Sequence, residues 1–265
     1  MPEVYTHGHH ESVLRSHKWR TAENSAGYLL PHLASDAKVL DVGCGPGTIT
    51  AGLADRVPRG HVTGIDAVPD ILGQAREAAG DRENVDFAVG DVYALGYPDA
   101  SFDVVHAHQV LQHLSDPVLA LTEMRRVARP GGLVAVRDGD YGAFTWYPEF
   151  PVLDEWRRLY MTVARANGGE PNGGRHVHAW ARAAGFADIT CSSSNWTYAT
   201  EAERTWWGGL WADRVVKSAF AASALDGGHA TVENLERIAD GWHAWAADPD
   251  GWLLIPNGEI LCRVP

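Results

Sequence analysis

A glycine-rich turn is the part of this sequence best suited to holding a small molecule. The acid Asp41 lies in an apolar run, and Gly43, Gly45 and Gly47 follow at alternate positions before Thr48 opens a helical stretch. Glycines let the backbone turn tightly and approach a ligand, and the first turn of the helix presents N–H groups without intrahelical partners. The dinucleotide fingerprint G-x-G-x-x-G needs its third glycine at Thr48, so the spacing differs from that of nicotinamide-dependent enzymes.

Two further acids stand where later apolar runs end. Asp66 closes the second run, and Asp91 follows the third run with Val92 beside it. A nucleoside offers a ribose diol and an adenine amine, both hydrogen-bond donors, so carboxylates at successive strand ends are suitable acceptors. A single acid in such a place is often a helix cap or a solvated charge. The glycine turn upstream favours the ligand-binding interpretation.

His108 is the main catalytic candidate because it lies near the carboxyl end of the fourth run, where open parallel sheets place their ligands. It is expected to act as a general base, to contact cofactor or substrate without proton transfer, or to be structural. His106, two residues earlier on the same face, is expected to be buried and hydrogen-bonded. The next candidates follow the fifth run, with loop polarity as the alternative explanation: Asp138, Asp140 and Tyr141.

Alternating apolar runs and helical stretches predict the elements that position these residues. Such alternation is typical of α/β proteins with a parallel sheet covered on both faces. A helix is predicted from Thr48 to about Val57, and another begins at Ser115 or Asp116 and ends at Pro130. The five predicted strands are 38–42, 61–66, 85–89, 102–108 and 133–137.

The second half of the chain departs from this alternation. A polar, aromatic segment precedes one more helix and one more strand, and helices without intervening strands then continue to about Ala247. A hairpin is predicted at the end, with its turn at Pro256-Asn257-Gly258. The predicted segments are 138–174 (polar, aromatic), 176–184 (helix), 187–192 (strand), 200–247 (helices) and 252–262 (hairpin).

Composition narrows the possible partners. Acidic residues outnumber basic ones by 34 to 22 among 265 residues, and the net charge of -12 would repel a nucleic-acid backbone. The three cysteines lie too far apart in sequence for a zinc ribbon or C-x-x-C motif, and no apolar stretch reaches the roughly 18 to 20 residues that cross a bilayer. We therefore expect a soluble, cytoplasmic protein that binds a small molecule and neither nucleic acid nor membrane.

Four stretches in order resemble the class I S-adenosylmethionine-dependent methyltransferases, in particular the group that includes the ubiquinone and menaquinone biosynthesis enzymes. They are the loop 41–47, Gly64-Ile65-Asp66, Gly90-Asp91-Val92 and the segment 102–132. The resemblance implies that the loop wraps the methionine part and ribose edge of the cofactor. It also implies that Asp66 takes the ribose hydroxyls and that Asp91 accepts from the adenine amine, with Val92 near the ring.

In similar methyltransferases an N-terminal helix folds over the cofactor. Arg20, or the nearby Ser16 or His17, is therefore expected to bind the methionine carboxylate. The guanidinium group of an arginine can donate two parallel hydrogen bonds to a carboxylate. A solvated amphipathic helix is the alternative. We predict no metal site, because the one histidine cluster lacks a clear fourth ligand; it comprises His7, His9 and His10.

The implied fold is a Rossmann-like, seven-stranded, mostly parallel sheet with N-terminal helices and a helical cap inserted before the last strands. The implied function is methyl transfer to a small, apolar or aromatic molecule. The alternatives are cofactor binding without transfer and a nucleotide-cofactor oxidoreductase. Within one domain the predicted parts are 1–35 (N-terminal cover), 36–192 (cofactor-binding core), 199–247 (cap) and 248–265 (final strands).

Tryptophans are concentrated in the predicted cap. Large aromatic side chains usually fill cores or interfaces. The functional alternative is a wall that selects the methyl acceptor, and the three residues expected to form it are Trp206, Trp207 and Trp211.

Overall fold

The computed structural model describes Thr6 and residues 11–265. The helices of this part of the chain are α1 (Glu11–Lys18), α2 (Ala22–Ala26), α3 (Thr48–Arg56), α4 (Leu72–Ala79), α5 (Pro117–Val127), α6 (Pro151–Ala166), α7 (Gly173–Ala183), α8 (Glu201–Lys217), α9 (Ala219–Asp226) and α10 (Val232–Ala247). The strands are β1 (Lys38–Val42), β2 (His61–Asp66), β3 (Val85–Val89), β4 (Phe102–His108), β5 (Ala128–Gly139), β6 (Thr145–Tyr147), β7 (Asp188–Tyr198) and β8 (Trp252–Arg263).

One mostly parallel sheet organises the chain. Its strand order is β3-β2-β1-β4-β5-β8-β6, and β7 pairs with the opposite edge of β8. Strands β1 to β5 are parallel, and β8 runs antiparallel to β5, β6 and β7. The predicted Rossmann-like α/β fold is confirmed; the three-residue strand β6 is an addition to the seven predicted strands.

The two faces of the sheet are covered by different helices. On one face, Val39, Val104 and Leu133 belong to a buried cluster that includes side chains of α2 and α3. On the other face, Leu40 and Val105 belong to a cluster that includes side chains of α5 and α7. Alternate residues of each strand point to opposite faces, so the apolar runs of the sequence are buried on both sides.

The predicted C-terminal hairpin is wrong, because residues 252–263 form the single strand β8. Asn257 and Gly258 stay extended and pair with β5 on one side and β7 on the other. A Cβ at Gly258 would lie 1.9 Å from the carbonyl oxygen of Gly174, so glycine is required here by close packing against α7 rather than by a turn. Pairing on both edges overrides the local turn preference.

The helix boundaries refine the sequence prediction. Asp116 caps α5 by accepting a hydrogen bond from the Leu119 N–H at 2.9 Å, as expected. The helix ends at Val127, three residues before the predicted stop at Pro130. Helix α6 was not predicted and lies inside the segment described as polar and aromatic. The signal was present in the apolar spacing of its buried residues, which include Leu153, Trp156, Tyr160 and Val163.

The predicted helical insertion between the last two long strands consists of α8, α9 and α10. Together with α6 these helices enclose an aromatic core, in which the Trp156 ring centroid lies 4.5 Å from that of Trp211 and 4.8 Å from that of Trp242. Both pairs are edge-to-face, a favourable arrangement of aromatic rings. Most of the cap's tryptophans therefore stabilise the cap itself.

Candidate functional site

A cavity of about 270 Å³ lies at the carboxyl ends of β1 to β4. Open parallel sheets bind ligands at this edge. Residues of α1 and α8 line its other sides, so it is bounded by the N-terminal helix and the cap. The cavity brings together eight of the nine residues predicted to bind the cofactor: Arg20, Asp41, Gly43, Gly45, Asp66, Asp91, Val92 and His108.

The glycine loop divides into ligand-facing and packing positions. Gly43, Gly45 and Gly47 all have positive φ, at 68°, 52° and 77°. A Cβ at Gly45 would meet only His17 Nδ1, at 4.0 Å, so this glycine leaves open space beside the backbone, an open cradle at the cavity. A Cβ at Gly47 would lie 2.7 Å from the Ala75 Cα. Gly47 lies outside the cavity lining and allows the loop to pack against α4.

The two outer acids are held by the backbone beside them. Asp66 Oδ2 accepts a hydrogen bond from the Gly45 N–H at 3.0 Å, and Oδ1 accepts one from the Val68 N–H at 3.0 Å. Asp91 Oδ1 accepts one from the Tyr93 N–H at 2.9 Å. A carboxylate oxygen can accept more than one hydrogen bond, so both side chains retain the capacity to bind hydroxyl or amino groups of a ligand.

Asp41 serves the interior of the fold as well as the cavity edge. Its Oδ2 accepts a hydrogen bond from Thr50 Oγ1 at 2.5 Å, and its Oδ1 lies 2.7 Å from His106 Nδ1. These contacts tie β1 to α3 and β4 beneath the loop. His106 is completely buried, as expected from its position within the fourth strand.

His108 lines the cavity with a buried imidazole ring. Its side chain belongs to a residue only 5% exposed, and neither ring nitrogen makes a hydrogen bond to the part of the chain that the structure describes. Burial lowers the pKa of His108 well below its usual range, and the nearby charges of Arg20 and Arg137 lower it further. Both effects favour the neutral imidazole, which has one N–H donor and one acceptor nitrogen.

The C-terminal part of α1 and the residues that follow it also line the cavity. Arg20 Nη2 donates a hydrogen bond to Gln109 Oε1 at 2.7 Å, and Gln109 Nε2 donates one to Asn257 Oδ1 at 3.1 Å. Gln109 has a φ of 52°, an uncommon conformation for a residue with a side chain. Ser16 and His17, the alternatives to Arg20, also line the cavity.

Several lining residues were not predicted as site residues. Trp196 at the end of β7 lies 5.7 Å from His108, ring centroid to centroid, and its cavity position follows only from the pairing of β7 with β8. Gln109 directly follows the fourth strand, which is the one signal in the sequence that could have found it. Other lining residues that were not predicted include Tyr93, Phe144, Arg214 and Ile255.

The three cap tryptophans expected at the acceptor occupy different environments. Trp207 lines the cavity. Trp211 is completely buried in the aromatic core of the cap. Trp206 packs against Trp19, with ring centroids 5.8 Å apart, and does not line the cavity.

The three candidates that follow β5 also occupy different environments. Tyr141 lines the cavity. Asp140 forms a two-pronged ion pair with Arg175 at 2.6 Å, a structural contact. Asp138 is completely buried and does not line the cavity; its Oδ1 accepts a hydrogen bond from the Gln112 N–H at 3.1 Å, and burial raises its pKa to about 7.

Metal binding finds no support among Thr6 and residues 11–265, where no group of three or more suitable side chains converges. The histidine cluster considered in the sequence falls on His7, His9 and His10, which lie outside the described residues. Within the same described ranges, no helix has both the length and the apolar character needed to span a membrane.

A glycine loop between β1 and α3, followed by acids at the ends of β2 and β3, is the arrangement of a nucleoside-cofactor enzyme of Rossmann-like fold. Residues 40–136 match the family model described as a methyltransferase domain. Over 98% of its length the chain is 36% identical to an uncharacterized methyltransferase of Schizosaccharomyces pombe, and the match covers 96% of that protein. The chain belongs to the S-adenosylmethionine-dependent methyltransferases.

Other relatives match more narrowly. Demethylmenaquinone methyltransferase of Staphylococcus aureus is 39% identical over 125 residues, which is 47% of this chain and 49% of that protein. Phosphoethanolamine N-methyltransferase 2 of Haemonchus contortus, solved with S-adenosyl-L-methionine, superposes with a TM-score of 0.54 at 18% identity, covering 88% of this chain and 50% of that one. The structural likeness supports the fold.

Proposed function

We propose that the protein transfers a methyl group from S-adenosylmethionine to a small, apolar or aromatic acceptor held between His108 and the cap. In this assignment the backbone of the loop at Gly43 and Gly45 lies against the cofactor. Asp66 accepts hydrogen bonds from the ribose hydroxyls of the cofactor, and Asp91 accepts one from its adenine amino group. Arg20 binds the methionine carboxylate.

The observation that carries the proposal is that one cavity has two chemically different ends. Asp66, Asp91 and the open cradle at Gly45 lie at the end formed by β1 to β3. The opposite end is a wall of rings from different elements, and these are Tyr141, Phe144, Trp196 and Trp207. Donor groups of a nucleoside match the first end, and an apolar acceptor matches the second.

The residues present fit S-adenosylmethionine, because Gly45 leaves room at the backbone and the two acids retain acceptor capacity. When bound, this cofactor supplies an electrophilic methyl group that needs no metal for activation. The task of the chain is to hold the acceptor in line with that group at about 3 to 3.5 Å and to exclude water. His108 and the aromatic wall are placed to do so.

The experiment is a pair of measurements on the purified protein. Calorimetry tests binding of S-adenosylmethionine, of S-adenosylhomocysteine and of NAD; we expect the first two to bind and NAD not to bind. Incubation with methyl-labelled cofactor and a fractionated metabolite extract then tests transfer. Binding of S-adenosylmethionine without methyl transfer would favour a cofactor-binding role instead. Binding of NAD alone would contradict the proposal.

A further inference from the structure

A buried cation lies directly behind the wall of the cavity. Arg137 is the parallel neighbour of His108 across β4 and β5 and is only 1% exposed. Its guanidinium carbon lies 4.5 Å from the centre of the Trp196 ring, which itself lines the cavity. Arg137 therefore stands one side chain away from the ligand space, on the same face of the sheet as His108.

The hydrogen bonds of Arg137 fix its position and leave its outer nitrogens unused. Nε donates to Ser194 Oγ at 3.0 Å and to Glu259 Oε1 at 3.2 Å. Glu259 also accepts from Ser192 Oγ at 2.7 Å. Neither Nη1 nor Nη2 of Arg137 is hydrogen-bonded to any described residue. A guanidinium held in this way provides a fixed positive charge beside the cavity.

The surroundings of His108 disfavour a proton on its ring. Most of the facing groups are cationic or become so on protonation, and the acids stand one residue further away. The groups that face it are His106 on β4, Arg137 on β5, His17 on α1 and Arg20 after α1, with Asp41 beyond His106 and Glu259 beyond Arg137.

This environment makes His108 a poor general base. A base takes a proton most effectively when its pKa lies near the working pH, whereas burial and neighbouring positive charge hold the pKa of His108 well below its usual range. A neutral imidazole nevertheless keeps one N–H donor. Among the described lining residues the acids are Asp41, Asp66 and Asp91, all from the end formed by β1 to β3, so an anion at His108 meets no carboxylate from the cap.

We propose that the methyl acceptor reaches His108 already ionised, as the conjugate base of an acidic O–H, S–H or C–H group, and that His108 holds this anion by donating its N–H while Arg137 supplies the fixed positive charge. The inference rests on the proposed function. The acceptor gives its proton to solvent before transfer. Its electron pair then forms the bond to the methyl carbon, the carbon–sulfur bond breaks with its pair going to sulfur, and no proton moves to His108.

The first test measures the protonation of His108 without any methyl transfer. Protein labelled with nitrogen-15 at histidine is titrated from pH 5 to pH 8 by NMR, and the His108 signals are assigned by their loss in His108→Asn. We expect the ring to stay neutral across the range. The double variant Arg137→Met/Glu259→Gln removes the cation without leaving a lone buried acid, and its His108 should take up a proton at a higher pH than in the wild type.

Two single variants are the controls. Arg137→Lys and Glu259→Gln both keep a positive charge behind Trp196, so His108 should remain neutral in each. Protonation of His108 near neutral pH in the wild type would overturn the proposal. If His108 titrates in the folded double variant as it does in the wild type, Arg137 does not influence the protonation of His108, and its part in the proposal is refuted.

The second test uses the wild type alone, so it stands even if the double variant does not fold. With S-adenosylhomocysteine present, the His108 signals are followed during addition of phenylpropanoate, phenylpropanamide and phenylpropylammonium, which share one skeleton and differ in charge. We expect the anion to bind at least about tenfold more tightly than the cation. Equal binding of the three, or a preference for the ammonium, would overturn the proposal. Loss of S-adenosylhomocysteine binding would instead count against the proposed function.

Discussion

Alanine substitutions at Gly45 and at Gly47 can distinguish a glycine that contacts the ligand from one that lets the loop pack. Both residues have positive φ, so alanine at either position costs about 1–2 kcal/mol in backbone strain. At Gly45 the new Cβ would project into the cavity, with only His17 Nδ1 in reach at 4.0 Å. At Gly47 it would meet three atoms of Ala75 at 2.7, 2.8 and 3.0 Å. Both variants add one methyl group, but the first should mainly weaken ligand binding and the second should mainly lower the stability of the fold.

For Gly45→Ala we expect the free energy of unfolding to fall by the strain alone, about 1–2 kcal/mol. We expect the Kd for S-adenosylhomocysteine to rise at least about tenfold, or about 1.4 kcal/mol, because the methyl occupies space at the cavity. For Gly47→Ala overpacking adds about 1–3 kcal/mol to the loss of stability. The affinity of the folded Gly47→Ala protein should stay within about twofold of the wild type.

Urea unfolding and calorimetric titration measure the two quantities independently. Gly73→Ala is the matched control, because this glycine lies in α4 at ordinary φ and an added Cβ meets nothing within 4 Å. It should stabilise the helix by about 0.5–1 kcal/mol and leave affinity unchanged. If Gly45→Ala binds S-adenosylhomocysteine as tightly as the wild type, the cofactor does not pass Gly45 and the assignment of the site is refuted.

Three further outcomes test other parts of the structure. Asp66→Asn should weaken S-adenosylhomocysteine binding by about 1.5–3 kcal/mol, because an amide replaces a charged acceptor, and calorimetry on the folded variant would detect it; unchanged affinity would contradict the role. Trp207→Phe should raise the KM for the acceptor while the cofactor affinity stays unchanged. Trp211→Ala should lower the free energy of unfolding by about 3–5 kcal/mol. The reverse result would show that the aromatic wall of the cavity is assigned to the wrong tryptophan. The folded-state pKa of Asp138 is raised to about 7, so the folded protein binds more protons than the unfolded chain between about pH 4 and 7. The wild type should therefore lose stability relative to Asp138→Asn as the pH rises through that window, by up to a few kcal/mol, and parallel urea-unfolding profiles would refute the assignment.

The first half of the fold could be predicted because its information is local. Each parallel strand is a short apolar run that ends at a polar or glycine residue, and each crossover helix carries its own start signals, such as Asp116 before Pro117. The acids and glycines then follow their strands directly in sequence. Because parallel strands bring their carboxyl ends to one edge, Asp66, Asp91 and Gly45 meet there without further information.

The second half was harder because its decisive contacts join distant segments. Pro256-Asn257-Gly258 has the composition of a turn, yet it lies extended because β5 and β7 pair with it from both sides and Gly174 packs against Gly258. No local signal contains this pairing. A sequence that favours a turn by itself is overridden when a sheet supplies hydrogen bonds on both edges.

The sequence by itself determined the α/β class, the glycine loop and the acids at the strand ends, since each depends on neighbouring residues. The tertiary structure alone decided which of several similar residues reach the cavity. Trp207 and Trp211 are both buried and lie one helical turn apart on α8, and only Trp207 lines the cavity, because the packing of α6 and α10 encloses Trp211. Likewise, the placement of Arg137 behind Trp196 arises from three paired strands, and its charge beside His108 is a property of that pairing.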